Sequence, residues 1–194
     1  MTNRKTLPLL LVLGILALAL TGCIFSPDPD PDPIQDDPVE YVTATTPRLM
    51  MDNFETAYTE RDIDGYAEEV LDDGFLFFFL DDEAQDFWTK DEDLISMRNL
   101  FSGEARTNSD GDLTRAISRI DMDQLTLLEP FGPTDNVYFQ GIDGVQMALY
   151  KIRIVLHHPE GTITVDSNQR FYAVPVEENG VTIYKLIGQE DMPS

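Results

Sequence analysis

The chain has one cysteine, two histidines and one tryptophan in 194 residues. A lone cysteine gives no intramolecular disulfide and no thiolate metal cluster, so the folded part must rest on its hydrophobic core. Basic residues are scarce as well: 13 Lys and Arg stand against 36 Asp and Glu, a formal charge of −23. Nucleic-acid binding needs a basic stripe that neutralises phosphates, and here the eleven cations after Arg4-Lys5 are scattered singly, so DNA and RNA are excluded as partners. There is no phosphate-binding glycine loop, nucleophile elbow or zinc signature, and no cofactor or metal is expected. What is present is 42% hydrophobic and 25% charged. That balance belongs to a globular chain, and the length to one domain with accessory segments.

The most apolar stretch, Leu7 to Leu20, follows Arg4 and Lys5 and is interrupted only by Pro8 and Gly14. It is short for a membrane span and has the order of a secretory signal. It runs into Leu20-Thr21-Gly22-Cys23, which resembles the bacterial lipoprotein signal: an aliphatic residue, two small or polar residues, then the cysteine that is acylated. The resemblance implies cleavage after Gly22, so that residues 1–22 are a signal peptide and Cys23 is the lipid attachment site. The plainer alternative is an uncleaved signal anchor with an incidental cysteine; against it, the only cysteine stands at the one place the motif requires. Several acyl chains anchor a protein stably where one does not. Ile24 rather than Asp follows the cysteine. This leans towards an outer-membrane anchor in the cell envelope, facing the periplasm or the cell surface, rather than the inner membrane.

Residues 23–46 differ in composition, with Pro27-Asp28-Pro29-Asp30-Pro31-Asp32-Pro33 and then Gln35-Asp36-Asp37-Pro38. Alternating proline blocks helix and ladder alike, and the repelling carboxylates extend the chain, so this is an acidic tether. Carboxylates spaced by stiff prolines do not converge on one calcium ion.

The domain is expected over 47–194. Thr46-Pro47 is a cap with proline in the first turn, and Met50, Phe54, Ala57 and Tyr58 follow at helical spacing. Asp62 opens a second helix carrying Ile63, Tyr66, Ala67, Val70 and Leu71, with Gly65 as a cost, ending at Asp72-Asp73-Gly74. Phe75 to Leu80 is a continuous apolar run that predicts a strand buried on both faces. Thr89-Lys90-Asp91-Glu92 is a capping box for a third helix through Leu94, Met97 and Phe101. Strands are predicted at Thr114 to Glu129, Val145 to His158, Thr162 to Val176 and Val181 to Gln189, with a short one at Val137 to Gln140. Asn179-Gly180 marks a hairpin. Helices first and strands afterwards give an α+β layer architecture in which a curled antiparallel sheet wraps the helices.

This order, with Arg61-Asp62-Ile63-Asp64-Gly65-Tyr66, Trp88-Thr89 and the terminal Val181-Thr182-Ile183-Tyr184-Lys185-Leu186-Ile187, resembles the nuclear transport factor 2-like superfamily, with its SnoaL-like and ketosteroid-isomerase-like members. The resemblance implies a cone-shaped α+β barrel, a pocket between sheet and helices, and a homodimer formed through the sheet. A common form of the family has tryptophan where Thr182 or Tyr184 stands here.

Such a fold hosts isomerases, dehydratases, hydrolases and binding modules, so function has to come from the site. Pocket candidates are Asp121, Asp123 and Asp166 as acids or bases, and Tyr150 or Tyr172 as oxyanion donors. None sits in a recognisable catalytic spacing. His157 and His158 are strand neighbours that point to opposite faces and cannot share a metal, and Pro159-Glu160-Gly161 makes them a strand end at a surface turn. Placing Gly111 as the glycine of a calcium loop puts Arg106 first and Ile117 last, so that pattern fails. Trp88 and Phe75 to Phe79 are read as core rather than as the lining of a cavity. Asp81-Asp82-Glu83 and Asp72-Asp73 are read as solvated turns. The leading expectation is a lipid-anchored envelope protein, not an enzyme, that binds a small apolar ligand or another envelope protein. The alternative is an isomerase-, dehydratase- or hydrolase-type enzyme with a buried Asp and Tyr. It requires an inward-facing carboxyl whose pKa is raised by burial.

Overall fold

A computed structural model describes residues 38–79, 87–107 and 113–192. The signal, Cys23, the Pro-Asp repeat, the acidic run 81–83 and the loop 108–112 lie outside the described residues. Helix α1 is Pro47–Glu60, and the Thr46 side chain accepts a hydrogen bond from Leu49 N at its start. Its inner face buries Met50, Phe54, Ala57 and Tyr58, the spacing read from the sequence, and Met51 with them.

One polar residue, Asn53, is also buried on α1. Its amide must find partners, and it finds them in the chain before the helix: Val42 N donates to Oδ1 at 3.0 Å and Nδ2 donates to Val42 O at 2.9 Å. Ala44 O in turn accepts from Tyr184 N at 2.8 Å. The compact unit that holds α1 therefore begins at Val39, ahead of the boundary at residue 47 expected from sequence.

Helix α2 starts at Ile63, with the Asp62 carboxylate accepting from Asp64 N and Gly65 N. After Gly65 the backbone widens into a π-helical turn, Tyr66–Val70. Tyr66, Val70 and Leu71 are still buried as the helical spacing predicts. The helix ends sooner than expected, however, and Asp72-Asp73-Gly74 belong to strand β1, Leu71–Phe78. Strand β2 is Phe87–Thr89, and Glu92 accepts from Thr89 N at 2.9 Å to open helix α3, Lys90–Phe101.

Two short strands, β3 at Arg106–Thr107 and β4 at Leu113–Thr114, pair with each other. The long strands are β5 Arg119–Pro133, β6 Gln146–His158, β7 Gly161–Glu178 and β8 Val181–Met192. The expected strand from Thr114 is thus split, and the segment expected as a short strand at 137–140 is a 3₁₀ turn, Val137–Phe139, capped by Asn136 Oδ1. Asn179 and Gly180 both take positive φ, 51° and 79°, at the β7–β8 hairpin, as a turn that matches strand twist requires.

The six-stranded sheet runs β2-β1-β8-β7-β6-β5. Every pairing is antiparallel except β1 with β8, so the curved sheet is mixed. Register shifts along β5 and between Tyr172 and Ala173 mark the bulges that let such a sheet bend. The helices cover one face, over a core that includes Phe54, Tyr66, Tyr150 and Phe171. A smaller cluster of Phe139, Tyr172, Val174 and Ile187 lies apart from it.

Candidate ligand pocket

Strand β1 shows how the pocket arises. Side chains alternate across a sheet, and the aromatic run obeys: Phe75 joins the main core, Phe78 packs against Tyr138 and Phe139, and Phe77 and Phe79 line a cavity. Trp88 of β2 completes a cluster of three rings, with centroids 4.7 Å from Phe79 and 6.3 Å from Phe77. The run read as core is therefore split, part of it packing the interior and part lining a cavity. Phe79 and Trp88 are 36% and 37% exposed and form the rim.

The cavity has a volume of about 460 Å³ and lies between the helices and the sheet. Ile152, Ile154 and Leu156, alternate residues of β6, make an apolar wall, and Met97 and Leu100 of α3 stand opposite. Its polar groups are few: Asp93 and Ser96 on α3, Ser167 and Gln169 on β7, Gln189 and Asp191 on β8, with Asp166. Asp93 is 5% exposed and Gln189 4%. Gln169 Nε2 donates to Asp191 Oδ1 at 2.5 Å, and Gln189 Nε2 donates to Gln169 Oε1 at 2.6 Å. The carboxylate sets the direction of this relay. Asp191 can only accept when ionised, so Gln169 offers it the NH₂ group and turns its own oxygen to Gln189. Gln189 Oε1 is left at the end without a partner, as are Asp93 Oδ2 and Ser167 Oγ.

Burial pushes the Asp93 carboxyl up from 3.8 to about 6, with the neighbouring Tyr66 hydroxyl pulling the other way. The Tyr66 hydroxyl is itself buried, beside Asp93 and Tyr58. It opens the π-helical turn, a local widening that often accompanies functional sites. Burial raises Asp191 too, against the pull of Gln169. The Tyr58 hydroxyl donates to Met97 Sδ at 3.6 Å, and burial raises its pKa. Position in the first turn of α3 favours an ionised Asp93 through the helix dipole, whereas burial opposes it.

The residues singled out from sequence are mostly elsewhere. Asp121 Oδ2 meets His157 Nε2 at 2.7 Å and Arg119 at 3.0 Å in a partly exposed cluster. Asp123 is exposed. Tyr150 is a core residue packed on Phe131 and Phe171. Tyr172 belongs to the smaller cluster, donating to Glu190 Oε2 at 2.6 Å and accepting from Asn136. Asp166 alone of these lines the cavity, ion-paired with Lys151. His158 Nδ1 accepts from Glu160 N in the turn. Among the described residues no group of three or more His, Cys, Asp or Glu is placed to hold a metal ion.

No protein-family model matches the chain, and no curated protein matches it in sequence. Solved structures do match in shape. A conserved protein from Planctomyces limnophilus superposes with a TM-score of 0.52 at 10% identity, over 76% of this chain and 94% of that one. A candidate aromatic ring hydroxylase from Novosphingobium aromaticivorans gives 0.50 at 16% identity, over 75% and 87%. An NTF2-like protein of unknown function from Rhodospirillum rubrum gives 0.44 at 14%, over 76% and 97%. Likeness at such identities speaks for architecture alone: the domain shares its α+β fold, a curved sheet with helices over one face, with the Planctomyces and Novosphingobium proteins.

Proposed function

We propose that the chain is a lipid-anchored cell-envelope protein whose domain takes a small, largely apolar ligand into the cavity between α3 and the sheet. The observation that carries the reading is the cavity itself: about 460 Å³, walled by aliphatic and aromatic side chains, with buried polar atoms of Asp93, Gln189 and Ser167 left without partners. Pockets that hold small molecules have this make-up, an apolar wall with a few fixed polar atoms that orient the ligand. Orphaned buried polar atoms each cost stability, and a ligand that meets them recovers it.

The test is native mass spectrometry of the protein released from its own membrane, beside a Ser96→Trp variant that fills the cavity from α3. The expected result is an added small-molecule mass on the natural chain and none on the variant. A natural chain that carries no added mass, or a variant that keeps it, counts against the reading.

A second reading is favoured by one observation, the raised pKa of Asp93. A carboxyl that titrates near neutrality can move protons in either direction, which fits an isomerase, dehydratase or hydrolase of this fold. Under that reading Asp93→Asn abolishes turnover of the bound molecule without releasing it; under the first, binding is the whole role.

A further inference from the structure

Among the described residues lining the cavity there are three aspartates and no Lys, Arg or His. Asp166 is answered at the rim by Lys151. Asp93 and Asp191 are answered by no cation; the partners in view are the Tyr66 hydroxyl beside Asp93 and the Gln169 amide on Asp191. Of the cavity's left-over atoms, Ser167 Oγ is a hydroxyl that can donate or accept, whereas the other two only accept. The relay from Asp191 through Gln169 ends on an accepting oxygen, Gln189 Oε1, and Asp93 Oδ2 is a second acceptor. Both residues are more than nine-tenths buried. A ligand that satisfies the two acceptors must bring hydrogen-bond donors, and one that offsets the buried Asp93 carboxylate and the half-buried Asp191 must bring positive charge.

An ammonium group meets both needs, with three donors and no acceptor. A ligand carboxylate or phosphate meets neither and adds repulsion in a place where water screens little. Most of the remaining lining is apolar, and the Phe77, Phe79 and Trp88 rings cluster towards the rim; aromatic rings attract a cation. Resting on the reading of this cavity as a ligand site, we infer that its ligand is a protonated primary amine carried on an apolar body, with the ammonium at Asp93 and Gln189 and the body against the β6 wall and the rim rings.

The experiment titrates three probes of one shape, 4-phenylbutylamine, 4-phenylbutan-1-ol and 4-phenylbutyrate, into the full chain held in lipid nanodiscs, with empty discs as the blank. Trp88 is the only tryptophan and lies at the rim, so its emission reports occupancy. At about pH 8 the amine is expected to bind about tenfold or more tightly than the alcohol, and the carboxylate least, as a charge-assisted hydrogen bond allows. Asp93→Asn should erase most of the amine's advantage and leave the alcohol unchanged, with thermal melting to confirm that the variant is folded; Asp191→Asn serves as the second variant. Equal binding of amine and alcohol overturns the amine inference while the cavity remains a ligand site. Failure of all three probes to move Trp88 emission overturns the inference and the cavity reading together.

Discussion

Asp93 is the residue on which most depends, and its titration has a sign that can be worked out. Its folded pKa is about 6 against an ordinary 3.8, so between those values the folded state binds more protons than the unfolded one. Stability from this group is present below the unfolded value and is lost as pH rises through about 6. The groups that face Asp93 are Tyr58 from α1 and Tyr66 from the π-helical turn, and Asp191 from β8 lines the same cavity and titrates upward too. Asn cannot ionise, so the melting temperature of Asp93→Asn minus that of the natural chain should be small near pH 4 and rise to a positive value by about pH 7. Thermal melts across that range check it; a difference that stays flat with pH would mean that Asp93 is not buried as described. The residue was hidden in the sequence by its company, since Asp91-Glu92-Asp93 reads as the acidic first turn of a capped helix. The signal that does betray it is spacing: Asp93 stands four before Met97 and seven before Leu100, on the stripe that faces inward. Asp191 is hidden for a different reason: the strand pattern in the sequence stops at Gln189, two residues short of it, whereas β8 continues to Met192. Asp121, Asp123, Tyr150 and Tyr172 sit on strands long enough to run past the pocket, which Asp166 alone of the expected Asp and Tyr residues lines, and strand alternation turns Tyr172 away from it.

At the scale of elements, the segments whose apolar residues recur at helical or strand spacing were legible, as α1, α3, β6, β7 and β8 show, while the joins between them were not. Burial of an apolar face fixes which residues point inward, but it leaves open whether a turn is α or π, so Tyr66–Val70 kept its predicted burial in an unpredicted backbone. Gly65 is the clearest case of a sequence rule inverted by packing. By helix propensity it costs stability relative to alanine, yet a Cβ there would fall 2.1 Å from the Tyr41 hydroxyl and 2.3 to 2.5 Å from two atoms of its ring. Tyr41 donates to Asp62 Oδ2 at 3.0 Å, and Asp62 caps the helix that holds Gly65. Gly65→Ala therefore displaces the Tyr41 clip and should lower the denaturation midpoint, despite a propensity gain of up to about 1 kcal/mol. Urea unfolding followed by circular dichroism measures it, with Tyr41→Phe as the companion that removes the hydrogen bond and keeps the ring. A Gly65→Ala chain more stable than the natural one would show that the N-terminal strap does not hold α2. Most of this segment was invisible in the sequence because, apart from the Tyr41 side chain, its contacts to Asn53 and to Tyr184 N are made by its main chain, which every residue carries.

For the whole molecule the question is how the domain is held, and the answer proposed here rests on four residues, Leu20-Thr21-Gly22-Cys23, that can be tested apart from the pocket. If Cys23 is acylated and the signal removed, the mature chain loses Arg4 and Lys5 with residues 1–22 and becomes still more acidic, so its hold on a membrane must come from acyl chains and not from attraction to anionic headgroups. Membrane association should then withstand high salt, which screens surface charge, and yield to detergent. Growth with a clickable palmitate analogue should label the natural chain, whose intact mass should differ from the 21.9 kDa of the full sequence by loss of the signal and gain of lipid. Cys23→Ser should abolish the label and accumulate the uncut 21.9 kDa form, because the cysteine is both the acylated group and the residue at which the signal is cut. An unlabelled natural chain that runs at its full mass would instead make residues 1–22 a signal anchor and Cys23 incidental, and the cavity would then serve a protein fixed by its own N-terminus.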